Sequence, residues 1–402
     1  MRILWIKVGG LWPLHTGGRV RSFHLLAELS QRHSVTLLTT HGLRDDPTGL
    51  RAALPACQEV ISVAHAMPKI GGARFGLALA RSWLSSEPVD ILKCRVPALR
   101  AHAERILTAG VDVCVADFLV AAANVPEAGR TCVILFEHNV EHMIWKRLHD
   151  VERRSWRRVL LALEWRKMRR YEARACASAS LTLAVSETDQ VQLAAASPGA
   201  TIKSIPTGVD TTYFYPNGAT EDPASLVFMG SMDWYPNEDA VRYFIGAILP
   251  AIRAAVPEVS LAIVGRDPSH GLRALATSAG ALVTGTVSDV RPYVAKAAVC
   301  VVPLRVGGGT RLKIFEALAM GKAIVSTTIG AEGLPVVPGQ HLLLADTPEF
   351  FAREVTALLR DRERRQRLGR AGRRLVQEHY SWSQVARDFE GHCEEIVRNH
   401  AH

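Results

Sequence analysis

The chain has 402 residues, 48% of them hydrophobic and 22% charged, with a formal charge of +9. That length exceeds one ordinary core and implies two domains of near-equal size, and the composition excludes a disordered or fibrous chain. The excess positive charge suits an anionic ligand, an anionic membrane surface or nucleic acid, without choosing among them.

The opening residues, MRILWIKV, enter a strand at once, without the basic region, apolar core and cleavage site of a secretory signal. No apolar run approaches the roughly 18 residues of a spanning helix. The expectation is a cytoplasmic protein, peripheral on the inner face of the membrane if its basic segment binds lipid. Seven cysteines, at 57, 94, 114, 132, 176, 300 and 393, include no C-x-x-C pair. Cys114 and Cys300 fall inside apolar strand-like runs, the pattern of reduced buried thiols and not of a disulfide frame or zinc site.

Residues 3–8 read as a central strand. The following loop holds two glycine pairs, Gly9-Gly10 and Gly17-Gly18. A helix with Val20, Phe23, Leu26, Ala27 and Leu29 comes next, then a strand at 34–39. This βαβ opening places a glycine loop at the carboxyl end of its first strand, where open α/β sheets bind ligands. The pairs lie too far apart for G-x-G-x-x-G, so Gly17 and Gly18 either cradle a phosphate or substrate or form a plain helix entry.

A short strand near 60–63 and helices near 75–84 and 99–107 follow. Residues 111–116 form a buried strand ending at Asp117, and 131–136 another that runs into Glu137-His138-Asn139. A histidine at the end of a parallel strand is either structural or a polar group facing substrate, and the second reading is adopted. His138 to His142 also spells H-x-x-E-H, the inverted zinc-peptidase pattern. That motif needs both histidines on one helix, whereas His138 follows directly on a strand.

The most basic stretch, 145–175, interleaves arginine and lysine with Trp156, Leu160, Leu163, Trp165 and Met168. Arginine with tryptophan at helical spacing fits an anionic bilayer surface. A long helix with a core stripe and a solvated basic face carries the same pattern. Nucleic acid is not expected as a partner, because no recognition module accompanies the charge.

Strands at 181–185 and 202–205 lead to a polar stretch at 215–223, the candidate linker. Beyond it come a strand at 226–229 ending in Gly230, a helix from Asn237 to near Pro250, and strands at 261–264 and 281–284. A helix capped by Ser288 and running through Val294 precedes strands at 299–302, 323–326 and 341–344. Three helices close the chain, the last starting near Ser381-Trp382. Strands alternating with helices describe a second doubly wound parallel sheet.

The stretch 303–321, PLRVGGGTRLKIFEALAMG, organises the second half as strand, glycine loop and helix. Glycines let the backbone approach a ligand, and the free N–H groups and positive dipole end of a helix suit a phosphate. Thr310 can cap, and Arg311 and Lys313 add positive charge. Glu316 follows Lys313 by three residues on roughly the same helix face, placed to accept hydrogen bonds from a diol such as a ribose. A tight turn with a surface Lys–Glu pair is the alternative.

Taken together, these features resemble the GT-B glycosyltransferases, specifically the retaining family 4 type with a GGGTRLK-type loop. The carriers are Gly17-Gly18, His138-Asn139-Val140-Glu141, IPTGVD at 205–210, Phe228-Met229-Gly230-Ser231, the stretch 303–321, and GAEGL at 330–334. The resemblance implies an α/β architecture of two Rossmann-like, doubly wound parallel-sheet domains facing a cleft. Residues 1–207 would form the acceptor side and 208–380 the nucleotide-sugar side, with a helix in 381–402 packing back towards the first domain.

The implied activity is transfer of a hexose from a nucleotide-sugar donor to a glycan or lipid-linked acceptor, in cell-envelope or exopolysaccharide synthesis. It would retain the anomeric configuration and need neither metal nor resident cofactor; the chain has no D-x-D. Carried over, Glu316 binds the donor ribose, the loop Gly308, Gly309, Thr310 and Arg311 the diphosphate, and Gly17-Gly18 a phosphate from the opposite wall. Gly230 and Arg266 complete the nucleotide side. His138 faces the transferred sugar, and His138, Lys313 and Arg311 form the expected catalytic group.

Two departures stand out. Gly308 occupies the place, eight positions before Glu316, where the family usually has a second glutamate. Met232 to Pro236 replace a usual arginine and lysine, so that Arg311, Lys313 or Arg266 would supply the phosphate charge. A nucleotide-sugar 2-epimerase and a non-catalytic membrane-associated protein would share the architecture.

Overall fold

Short runs of aliphatic residues, apolar on both faces, become the central strands of two parallel sheets covered by helices. The structure, a computed structural model, describes all residues except 15, 44, 69–71, 128, 130, 153, 307–311 and 401–402, and of 73, 74 and 151 the backbone alone. The chain divides into two units, Met1–Pro206 with Val385–His402, and Thr207–Gln384. The divisions fall at 206/207 and 384/385, against the expected 207/208 and 380/381.

The first unit holds β1 (Arg2–Lys7), β2 (Ser34–His41), β3 (Glu59–Ala64), β4 (Val113–Asp117), β5 (Cys132–Glu137), β6 (Leu181–Ala184) and β7 (Ile202–Ser204). They pair in parallel in the order β3-β2-β1-β4-β5-β6-β7. The last helix, Trp382–His400, contributes Phe389 to this core, its ring 5.4 Å from Trp5 and 5.6 Å from Phe136. All seven cysteines are free thiols, and six are buried.

The second unit holds β8 (Asp222–Met229), β9 (Ser260–Val264), β10 (Leu282–Gly285), β11 (Ala297–Val302), β12 (Ala323–Ser326) and β13 (Leu343–Leu344), parallel in the order β10-β9-β8-β11-β12-β13. A Cβ at Gly265 would stand 1.7 Å from the Gly230 carbonyl oxygen, so only glycine lets the chain ends after β8 and β9 touch.

Three local expectations are corrected. The helix expected to end near Pro250 runs as Tyr235–Tyr243, a π turn at Phe244–Ile248, and Leu249–Ala255. The wider turn accommodates a proline that has no N–H to donate. Ser288 does not cap a helix: Arg291–Lys296 starts two residues later than that cap would place it, and Asp289 Oδ1 accepts from the Arg291 backbone N–H at 2.9 Å.

The basic stretch is not one helix either. It lies across two helices, Glu141–Val151 and Ser155–Ser178. Glu141 meets Glu172, and His149 meets Trp165, so the pair is an antiparallel hairpin.

Strand order reverses once in each sheet, between β1 and β4 and between β8 and β11. Loops leaving such neighbours diverge and open a crevice beyond the carboxyl ends. The candidate residues gather at these two places.

Candidate functional site

In the first unit, β1 and β4 end in register, with Lys7 opposite Asp117. Lys7 Nζ lies 3.2 Å from Asp117 Oδ2, and the Trp5 indole N–H donates to the same oxygen at 2.9 Å. His138 directly follows β5. Its Nε2 lies 2.7 Å from Asp117 Oδ1, and its Nδ1 lies 2.9 Å from the guanidinium of Arg21, on the helix Gly17–Leu29.

Lys7, Arg21, Asp117 and His138 are all buried. A guanidinium can only donate, so Nδ1 accepts and the proton of the neutral ring sits on Nε2, facing Asp117. Burial draws the His138 pKa down to about 3 against the pull of Asp117. Burial would raise Asp117, but Lys7 and His138 outweigh it and hold the carboxyl well below its usual range. Burial also lowers the Lys7 ammonium and brings Arg21 to about 10.

Phe118 covers this cluster at a backbone cost. Its φ of 74° and ψ of 151° fall in a region nearly reserved for glycine, a strain of about 1–3 kcal/mol. The ring stacks on His138 at 3.8 Å, and Lys7 Nζ lies 4.1 Å from its centroid. A Cβ at Gly18 would come within 2.5 Å of Phe118 Cζ, which gives Gly18 a packing reason beyond any phosphate cradle.

Gly17 is exposed at the start of its helix, where the Thr16 hydroxyl accepts from the Arg19 N–H at 3.4 Å. The Arg19 guanidinium ties the loop after β1 down, donating to the Gly9 carbonyl at 3.0 Å and to Asp45 at 2.7 Å. His142 pairs with Glu172, whose carboxylate also accepts the Glu141 N–H at 2.7 Å. The two histidines of H-x-x-E-H therefore address different carboxylates, and the peptidase pattern is coincidental. Burial, with Glu172 nearby, raises Glu141 to about 7.

In the second unit, Gly230, Arg266 and Lys313 meet around the turn after β8. Lys313, on the helix Leu312–Ala319, donates to Asn237 Oδ1 at 2.6 Å and lies 4.5 Å from the Phe228 ring centroid. Asn237 Nδ2 donates in turn to the Ser231 carbonyl at 2.8 Å. A Cβ at Gly230 would stand 2.7 Å from Asn237 Nδ2 and 2.8 Å from Lys313 Nζ. Arg266 Nε donates to Ser231 Oγ at 2.5 Å, and its NH2 to Asp233 at 3.2 Å.

Glu316 lies one helical turn beyond Lys313. Among the described residues nothing hydrogen-bonds its half-buried carboxylate, and burial pushes it up to about 7, with Lys313 offsetting part. An acidic group with unused acceptor capacity beside a lysine is suited to hydroxyl donors. Gly308, Gly309, Thr310 and Arg311 lie outside the described residues.

Sequence reasoning missed Lys7, Arg21 and Asn237, and noted Asp117 only as a strand end. Lys7 and Asp117 each close an apolar run, which is the one signal they offered; Asn237 was read only as the start of a helix.

Residues 223–361, within the second unit, match the family described as Glycosyl transferases group 1. The chain is 28% identical over 214 residues to a GDP-mannose-dependent alpha-(1-6)-phosphatidylinositol monomannoside mannosyltransferase of Mycobacterium tuberculosis, covering 47% of this chain and 54% of that one. It thus spans about half the length of the curated relatives it matches.

Among solved structures, sucrose-phosphate synthase of Thermosynechococcus elongatus superposes with a TM-score of 0.72 at 17% identity, over 99% of this chain and 100% of the other. HepE of Anabaena, in complex with UDP and glucose, gives 0.65 at 15% identity, over 98% and 99%. The chain has the GT-B fold, and its second unit carries a glycosyl transferases group 1 domain.

Proposed function

We propose that the protein is a retaining glycosyltransferase that moves a hexose from a nucleotide-sugar donor, held by the second unit, to a glycan or lipid-linked acceptor. The observation that carries this reading is Glu316, a carboxylate without a hydrogen bond among the described residues, one turn from Lys313 at the carboxyl end of β11. The ribose diol donates to Glu316. The diphosphate sits towards the start of the helix Leu312–Ala319, where the helix dipole, Lys313, Arg311 and Arg266 counter the leaving charge.

In the reaction the anomeric C–O bond to the diphosphate breaks, and the acceptor oxygen bonds to the same face of the sugar. The acceptor proton passes to the departing phosphate oxygen, and nucleoside diphosphate leaves. On this reading basic side chains and backbone amides do the electrostatic work, with no metal or resident cofactor. His138, neutral and engaged at both nitrogens, has a positioning or charge-stabilising part, not a nucleophilic one.

A lipid-linked acceptor of the cell envelope is favoured by the mannosyltransferase relative and by one surface of the first unit. There Trp156, Val159 and Leu163 of Ser155–Ser178 are exposed among arginines. The end of the helix Ala73–Trp83, where Trp83 is exposed and Leu84 follows it, is joined to them by Ser82 Oγ donating to Glu164 at 3.0 Å. Apolar side chains rimmed by cations suit an anionic bilayer. No described helix is long and apolar enough to cross one.

The test is thermal stabilisation by UDP, GDP, ADP and TDP and their sugars, without added metal, in wild type and Glu316→Ala. A selective shift that vanishes in the variant is expected. A shift that survives it moves the donor elsewhere, and conversion of the donor with no acceptor present would replace transfer by epimerisation.

A further inference from the structure

The second unit has another concave surface, at the amino ends of its strands, away from Lys313 and Glu316 at their carboxyl ends. A cavity of about 950 Å³ is lined there by Pro223 at the start of β8, Ala295 before β11, and Gly321 and Lys322 before β12. One face of the helix Arg362–His379 closes it with Arg362, Gln366, Gly369, Arg370 and Arg373.

Six cations line the cavity, Lys322, Arg360, Arg362, Arg365, Arg370 and Arg373, against one carboxylate, Glu221. That carboxylate is already committed. It accepts from Arg365 at 2.7 and 3.0 Å and lies 3.5 Å from Lys322. Lys322 also donates to the Ala295 and Ala297 carbonyls, and Arg365 to those of Leu358 and Leu359, so both cations are fixed in the wall. Arg362 and Arg370 are exposed and hold no ion pair or hydrogen bond among the described residues.

The wall is built by close backbone contact. A Cβ at Gly369 would stand 2.0 Å from the Gly321 carbonyl oxygen, and one at Gly372 2.4 Å from Leu318 Cδ2. Those two glycines let the arginine-bearing helix press against the turn before β12. Concentrating like charge there costs free energy unless a counter-charge arrives.

We propose that this cavity is a second anion site that binds a phosphate-bearing ligand, a phosphomonoester or diphosphate, apart from the donor site. Guanidinium forks match phosphate oxygens two at a time, and the volume lies within the range of small-molecule sites. Arg373 gives occupancy a route to the donor helix. Its guanidinium donates to the carbonyl of Ala319, the last residue of the helix that carries Lys313 and Glu316. A phosphate that draws Arg373 away competes with that helix cap.

The probe is inorganic pyrophosphate, titrated calorimetrically into the full chain, into Arg362→Ser/Arg370→Ser, and into Lys313→Ala. The double variant is expected to keep the wild-type Tm without ligand and to lose at least about tenfold in affinity for one pyrophosphate component. Lys313→Ala keeps that component. The proposal is overturned if the double variant binds within about twofold of the wild type, or if Lys313→Ala alone removes all binding.

Vesicles of phosphatidylcholine with phosphatidic acid separate the two sources of such a group. Displacement of pyrophosphate by the vesicles identifies a lipid headgroup, and its absence a soluble phosphate; either result sustains the site.

Discussion

Replacing Glu316 by glutamine separates two properties that its carboxylate sets against each other. Burial raises its pKa from 4.5 to about 7, so between those values the folded second unit keeps a proton that the unfolded chain has released. Stability is therefore highest below pH 4.5, falls as pH rises towards 7, and is level above. At about 1.4 kcal/mol per pKa unit the whole shift amounts to about 3 kcal/mol. Because the side chain keeps some contact with solvent, screening reduces this to about 2 kcal/mol.

Glu316→Gln preserves shape and removes the charge. Near pH 8 the variant should be the more stable protein, with the second unit melting about 4–8 °C higher, and the gap should close near pH 5. The same change removes a charged acceptor worth about 1.5–3 kcal/mol to a ribose hydroxyl, so nucleotide affinity should fall about tenfold or more. Scanning calorimetry at the two pH values, with and without nucleotide, reads both effects. A variant no more stable near pH 8 refutes the buried-carboxylate argument, and one that binds nucleotide undiminished refutes the assignment to the ribose.

The first unit should respond to pH in the opposite sense. His138 has its pKa lowered from 6.5 to about 3, so the unfolded chain takes up the proton first, and stability is lost as pH falls below 6.5. Asp117, depressed from 3.8, contributes its own loss only below that value. His138→Gln, whose amide can still donate and accept, should flatten a dependence of about 2–3 kcal/mol between pH 7 and 4.5, read as urea midpoints at those two values; an unchanged slope refutes the neutral ring.

Gly265→Ala places a methyl against the Gly230 carbonyl and should cost about 2–3 kcal/mol, while Gly76→Ala meets nothing within 4 Å and should stabilise by about 0.5–1 kcal/mol. Denaturation curves that do not separate these two variants would contradict the packing. Trp83→Ser/Trp156→Ser should lower sedimentation with anionic vesicles severalfold at unchanged Tm, since both side chains are exposed. Undiminished sedimentation removes that surface as the contact.

The sheets were legible because their central strands are buried on both faces and show as uninterrupted apolar runs. The short helices Pro47–Ala53, Val89–Lys93 and His270–Ser278 went unread, since helices of nine residues or fewer carry little periodicity. The basic hairpin read as one helix because its charge pattern passes straight through residues 152–154; the reversal shows only in a contact distant in sequence, the Glu172 carboxylate accepting the N–H of Glu141 at the start of the first helix.

At the site, Lys313 and Glu316 could be paired from spacing alone. The cluster around Asp117 could not, because His138 and Arg21 are 117 residues apart and Lys7 meets Asp117 only through parallel register. The position of His138 at a strand end was readable. Its burial beneath Phe118 was not, since a left-handed φ at a phenylalanine is imposed by packing and has no local sequence signal.

The two switch points also differ in how completely their charges are satisfied, and this predicts how each fails. In the first unit Lys7, Asp117, His138 and Arg21 answer one another in full burial, which suits fixing an orientation. In the second, Glu316 keeps acceptor capacity in reserve among the described residues, which suits holding a ligand. Asp117→Asn would leave the Lys7 ammonium buried without its counter-charge, a loss of about 3–5 kcal/mol, unless the lysine deprotonates. The variant should lose that stability in the first unit while nucleotide affinity, measured calorimetrically, stays at the wild-type value. If nucleotide affinity falls in step with stability, the second unit does not hold the donor by itself, and the assignment of donor binding to Glu316 and Lys313 is incomplete.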